Sequence, residues 1–237
     1  MALPKLTTPT YELEVPSTDE KIKYRPFLVR EEKILLIALE SEESTDILNA
    51  VKDIVAECTF NKLKIGDMPM FDIEYIFLNI RAKSVGEVSQ LKLKCPDDDE
   101  TFAEVEIDLS KVTVQVDKGH NPKIELTKDM GLIMKYPSID SFAGSGITNI
   151  TTDNMLDVIG SCILQIYDKK GEEVFEAKDQ TKKELSDFVE SLNTKQFQEV
   201  QKFFDTMPKL THKVTIENPK TKVKSDVILQ GLNDFFV

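Results

Sequence analysis

The residues able to do chemistry are few and scattered. The chain of 237 residues has two histidines, His120 and His212, and three cysteines, Cys58, Cys95 and Cys162. A structural zinc ion takes four Cys or His ligands, usually with two of them paired as C-x-x-C. Cys95 ends a run of strand periodicity, where a zinc ribbon carries such a pair, but Asp98 stands where the second cysteine is needed. Asp97-Asp98-Asp99-Glu100 concentrates carboxylates without the D-x-[DN]-x-[DN]-G spacing and distal Glu that wrap calcium, so it reads as a solvated hairpin turn. Gly144-Ser145-Gly146 is the nearest approach to a phosphate loop; it lacks the following lysine and reads as a flexible connection. H-E-x-x-H, G-x-S-x-G and G-x-x-x-x-G-K-[ST] do not occur. Cys58 and Cys162, on or beside apolar runs, read as packing residues. The expectation is a non-enzymatic chain with no catalytic, cofactor-binding or metal-binding residue. An enzyme that needs only a pair of carboxylates in a cleft is the alternative, and 42 Asp and Glu residues offer many pairs.

Apolar residues give a different kind of candidate. Phe203-Phe204 sits in a run of helical periodicity, where one ring of an adjacent pair is buried more easily than two. Phe235-Phe236 closes a run that alternates like a strand, so its two rings would point to opposite faces. Phe203, Phe235 and Phe236 are therefore the candidate partner-binding residues, since large exposed apolar surface marks interfaces.

The elements that position these residues follow from periodicity. Arg30-Glu31-Glu32 opens a helix, with two acids near the positive end of the backbone dipole, and the apolar run Ile34–Leu39 fits a buried helix. Ile47, Leu48, Val51, Ile54, Val55 and Cys58 form one face of a second helix. Met70, Ile73, Phe77 and Ile80 mark a third, with Pro69 in its first turn. The period then switches to two. Leu91–Cys95, Ala103–Leu109 and Val112–Val116 predict an antiparallel meander, and Ile124–Thr127 and Leu132–Tyr136 add candidate strands. A short helix over 152–161, a hairpin of Ile163–Tyr167 with Glu172–Glu176, and two helices within 181–207 follow. Thr181 and Glu184 have the spacing of a capping box, and Phe197, Val200, Phe204 and Met207 form the apolar stripe of the second helix. A hairpin over 211–230 ends the pattern. The class is α+β, divided along the chain into a mainly helical lobe 1–86, a meander 87–137 and a C-terminal α+β lobe 138–237.

Composition narrows the partners. The net charge of −12 disfavours binding to nucleic-acid phosphates, which takes a basic surface. No stretch approaches the roughly 20 apolar residues of a membrane span, and the N-terminus lacks the pattern of a secretory signal. Three widely separated cysteines fit folding in a reducing cytoplasm rather than a disulfide framework.

Several long blocks resemble a known family. Tyr24-Arg25-Pro26-Phe27-Leu28-Val29-Arg30-Glu31-Glu32-Lys33-Ile34-Leu35-Leu36, preceded by Val15-Pro16-Ser17-Thr18, is similar to the opening of the baseplate hub subunits of T-even-type contractile-tailed phages, the myoviruses. Cys58 ahead of Met68–Leu78, then Ile80–Glu87, and the closing blocks Phe203-Phe204, Met207–Leu210, Gly231-Leu232 and Phe235-Phe236 extend the resemblance over nearly the whole chain. It implies a virion or virion-assembly protein of the tail baseplate, assembled in the host cytoplasm, with no catalytic residue to carry over. The implied partners are other baseplate hub and tail-tube proteins, with a second copy of the chain as a further candidate. A resident of the mature hub and a transient assembly chaperone are both consistent with it, and a tail-tip cell-wall hydrolase is the third alternative.

Overall fold

The computed structural model describes residues 6–41, 43–143 and 155–235. Among them are seven α-helices and eleven strands in small antiparallel sheets, an α+β fold. The chain opens with a hairpin of β1 (Tyr11–Glu14) and β2 (Lys21–Tyr24), followed by α1 (Val29–Glu40), α2 (Ser44–Cys58) and α3 (Met70–Val85). Helix α3 is buried on most sides through Phe71, Ile73, Ile76, Phe77, Leu78 and Ile80, as a helix without a dominant polar face must be. Pro69 is its N-cap rather than a first-turn residue, so its ring precedes the helix without costing it a hydrogen bond. Asp72, fully buried on α3, accepts from the backbone N–H and the hydroxyl of Ser17, which ties the first hairpin's turn to the helix.

The connection from β2 to α1 carries a buried ion cluster. Glu31, whose side chain is 2% exposed, accepts from Arg25 Nη2 at 3.0 Å, from Arg30 Nε at 2.6 Å and from the Leu28 backbone N–H at 2.6 Å. Arg25 is itself buried, and its other guanidinium nitrogen donates to the Pro26 carbonyl and to Cys58 Sγ at the end of α2. The backbone agrees, with Arg25 N–H donating to the Cys58 carbonyl at 3.0 Å. Burial alone would raise the Glu31 carboxyl, but the two arginines and the Leu28 amide outweigh it and hold the group below its ordinary range. Glu31 thus does more than sit favourably at a helix N-terminus; it turns inward and anchors α1.

After α3 come β3 (Val88–Lys94) and β4 (Phe102–Asp108), paired antiparallel with Leu91 opposite Val105 and Leu93 opposite Ala103. The meander stops there. A 3-10 turn at Leu109–Lys111 diverts the chain, and β5 (Thr113–Gln115) leaves β4 and pairs elsewhere. Then follow β6 (Lys123–Glu125), β7 (Met130–Met134), α4 (Ile139–Ala143), α5 (Met155–Ser161), β8 (Ile163–Asp168) and β9 (Glu173–Glu176). Strands β6 to β9 form one antiparallel sheet in sequence order. Gly131 in β7 has no room for a side chain, because the Tyr167 ring and the Ile124 carbonyl lie where its Cβ would be. Helix α6 (Lys182–Glu190) carries the capping box, with Thr181 Oγ1 accepting from Glu184 N–H and the Glu184 carboxylate from Thr181 N–H at 2.7 Å. Helix α7 (Thr194–Thr206) is capped the same way by Asn193 and Gln196. The final strands, β10 (Lys209–Glu217) and β11 (Lys224–Gln230), form a hairpin whose inner strand pairs with β5.

Contacts group the chain into one unit of 1–115 with 209–237 and a second of 116–208. This differs from the linear division at 86 and 137. Strand pairing across long sequence separation, β5 with β10, sends the C-terminal hairpin back to the N-terminal half, and local periodicity cannot report such a partner. In the first unit, Asp97 in the β3–β4 turn accepts from Asn218 Nδ2 at 2.9 Å and from Thr221 Oγ1 at 2.5 Å in the β10–β11 turn. The acidic turn is therefore a bracket between two hairpins as well as a solvated loop.

The ion cluster makes a stability prediction. Glu31→Ala would leave Arg25 buried without its carboxylate and is expected to cost about 3–5 kcal/mol in urea unfolding, whereas Glu32→Ala on the exposed side should stay within about 0.5 kcal/mol. Equal effects of the two substitutions would show that the cluster does not anchor α1.

Candidate protein-interaction site

Helix α1 rests on the first unit by a narrow strip. Glu31 and Ala38 are its buried residues and Leu35 is half-buried. The apolar run expected to lie in a buried helix is instead open: Ile34 is 44%, Leu36 54%, Ile37 56% and Leu39 40% exposed. The reason lies in the anchor. With a buried ion pair fixing the helix by one side, the remaining sides of an almost wholly apolar segment have nothing to cover them among the described residues. Four large aliphatic side chains exposed within two turns are more than the singly scattered leucines of an ordinary surface.

Beside this surface is a groove of about 330 Å³, lined by Leu35 and Leu39 of α1, Ile47, Leu48 and Val51 of α2, Met70, Glu74 and Phe77 of α3, and Gln230, Gly231 and Leu232 after β11. Among these, Glu74 is the one residue that ionises. Burial pushes its carboxyl up to about 7, offset in part by the Leu232 backbone N–H that donates to it. Gly231 holds a φ of +71°, a left-handed conformation that glycine takes without strain, and a Cβ there would meet Glu74 Oε1 at 3.2 Å. The groove floor is thus a carboxyl group pressed against a turn made by glycine. Periodicity gave no warning of Glu74, since a polar residue on a helix stripe reads as solvent-facing. The glycine after an alternating strand was the available signal.

The sequence candidates lie elsewhere. Phe203 is 2% exposed in the core of the second unit, beside Val200, and its ring stacks on Tyr136 at 5.7 Å between centroids. Val200 of the expected stripe is in this core, and Phe197 and Phe204 are partly buried against it, so both rings of the Phe203-Phe204 pair face the same core. Phe235 is fully buried in the core of the first unit. The chain after Gln230 does not continue as a strand; a 3-10 turn over Leu232–Phe235 swings that ring inward. Neither ring is on the surface of its unit. Phe236 lies outside the described residues, as do Gly144-Ser145-Gly146. His120 is held by Thr206 Oγ1 and Tyr136 Oη, both at 3.0 Å, and burial lowers its pKa. All three cysteines are free and buried, and burial raises the thiols of Cys58 and Cys162 to about 11, which makes them poor nucleophiles at neutral pH. Among the described residues there is no group of three or more His, Cys, Asp and Glu placed to hold a metal, and no helix long and apolar enough to cross a membrane.

Two measurements follow. Phe235→Ala is expected to lower stability by about 3–5 kcal/mol, the cost of emptying a buried aromatic site, and an unchanged melt would remove the ring from the core. The second concerns Glu74. Its folded pKa lies above its ordinary 4.5. The stability that its neutral form contributes is complete below that value and is lost as pH rises through about 7. Between about pH 5 and pH 8 the wild type should lose about 2–3 kcal/mol more than Glu74→Gln, and parallel profiles would show that Glu74 titrates normally.

No curated protein and no solved structure matches the chain. A family model described as T4 bacteriophage base plate protein matches residues 8–237, which takes in both compact units and every element that builds the groove. On that match the chain belongs to the family of T4 bacteriophage base plate proteins, a structural family of the phage tail.

Proposed function

We propose that the chain is a component of the baseplate hub that works through contacts with other hub and tail-tube proteins, without catalysis, and is assembled into the tail within the host cytoplasm. The family match over residues 8–237 carries this reading. The open apolar surface of α1 supports the mode of action, because a component that builds a multiprotein disc must present apolar surface to its neighbours. The buried, high-pKa thiols support the non-catalytic part, since they are poor nucleophiles, and so does His120, whose two ring nitrogens are taken up by Thr206 and Tyr136.

Quantitative mass spectrometry of purified phage particles tests the reading. The chain is expected in a constant ratio to the other baseplate proteins, and tagged chain should recover hub proteins from infected cells. Its absence from particles, with hub proteins still recovered from cells, would make it a transient assembly chaperone instead. Release of fragments from peptidoglycan by the purified chain would overturn the non-catalytic part.

A further inference from the structure

We propose that the groove and the adjoining side of α1 form a docking site for a basic amphipathic helix of another protein. The inference rests on the proposed function, since it names the chemistry of a partner that a hub component would hold. Leu35, Leu36 and Leu39 stand at i, i+1 and i+4, on one side of α1, and two of them also line the groove. That side continues across the groove to Ile47 and Leu48 of α2. The surface is built from helices, whose backbone groups are already paired internally, and from Gln230–Leu232, whose N–H groups donate to Asp234, Leu210 and Glu74, so an added strand would find no free donor along it. A helix brings its own backbone satisfied and inserts apolar side chains at i, i+3 or i+4 and i+7, which is the geometry a groove between helices accepts.

Charge selects the sign of the partner. From Ile34 to Val51 the sequence contains four acids, Glu40, Glu42, Glu43 and Asp46, and no Lys, Arg or His. Glu40 and Glu43 are exposed at the junction of α1 and α2, close to Leu39 in the chain. An apolar surface bounded by carboxylates favours apolar residues flanked by Lys or Arg, through steering and through exclusion of acidic competitors. A second copy of this chain carries the same net charge of −12 and the same acidic border, so self-association would set like charges against each other.

The test uses the purified full-length chain and two synthetic helical peptides of about five turns, sharing a leucine face and differing in a lysine or glutamate polar face. Fluorescence anisotropy should show the lysine peptide binding at least about tenfold more tightly, with affinity falling as salt rises. Leu36→Gln with Leu39→Gln should weaken it by about tenfold or more, and Glu40→Gln with Glu43→Gln should flatten the salt dependence. Both pairs replace exposed residues, so the melt should not move. Ile37→Gln, on the opposite side of α1, is the control and should leave binding unchanged. Equal binding of the two peptides, or indifference to the leucine variants, overturns the inference. So does a wild-type dimer in sedimentation, or binding to phosphatidylcholine vesicles, that disappears in the Leu36→Gln, Leu39→Gln chain, since these would assign the surface to a second copy or to a membrane. Absence of the chain from particles would refute the component reading and leave the peptide result standing, whereas equal peptide binding would do the reverse.

Discussion

The contact between Arg25 and Glu31 sets much of what the first unit presents to its surroundings. Two buried charges are expensive to remove from water, and the expense is met only where each finds its partners in good geometry. Here one carboxylate takes two guanidinium groups and a backbone amide, while Arg25 reaches on to the end of α2. That requirement leaves little freedom in where the start of α1 can lie. It also means that the helix is held by polar contacts at its foot and by Leu35 and Ala38 above, rather than by burial of its broad apolar surface.

The exposed aliphatic side chains of α1 follow from that arrangement. A helix attached through its hydrophobic face would have hidden Leu36 and Leu39, whereas one attached through Glu31 keeps them outward. The chain belongs to a family of baseplate proteins, and exposed apolar surface of this size is the kind that marks a protein interface. The unit behind it is rigid where it needs to be. Helix α3 is buried on most sides, Asp72 pins the first hairpin, and Asp97 joins the turns of two others. The groove beside α1 is walled by α2 and α3, whose Val51 and Phe77 are buried.

Local chemistry was well legible in the residues. The capping box of Thr181 and Glu184, the face of α2 through Val51, Ile54 and Val55, the pairing of β3 with β4 and the hairpin β10–β11 all appear where periodicity and spacing put them. These features depend on neighbours within a few positions, so the order of residues carries them directly. The family, too, was readable from blocks of sequence spread along the chain. The burial of Phe203 beside Val200 was not, because only the surface opposite a helix decides how wide its buried face is.

The sequence by itself determined α1 to α3, the hairpins β3–β4 and β10–β11, the cap of α6, the α+β class and the baseplate family, because each rests on short-range pattern or on shared blocks of residues. The tertiary structure alone decided where distant segments meet. It brought β10 to β5 in place of a meander, turned Phe235 into the core through a 3-10 turn, and placed Glu74 against Gly231. It also left the apolar side of α1 uncovered, although its sequence has the composition of a buried helix. The physical reason is common to all four. Burial is a property of what lies across from a residue in space, and a one-dimensional pattern records only what lies beside it in the chain.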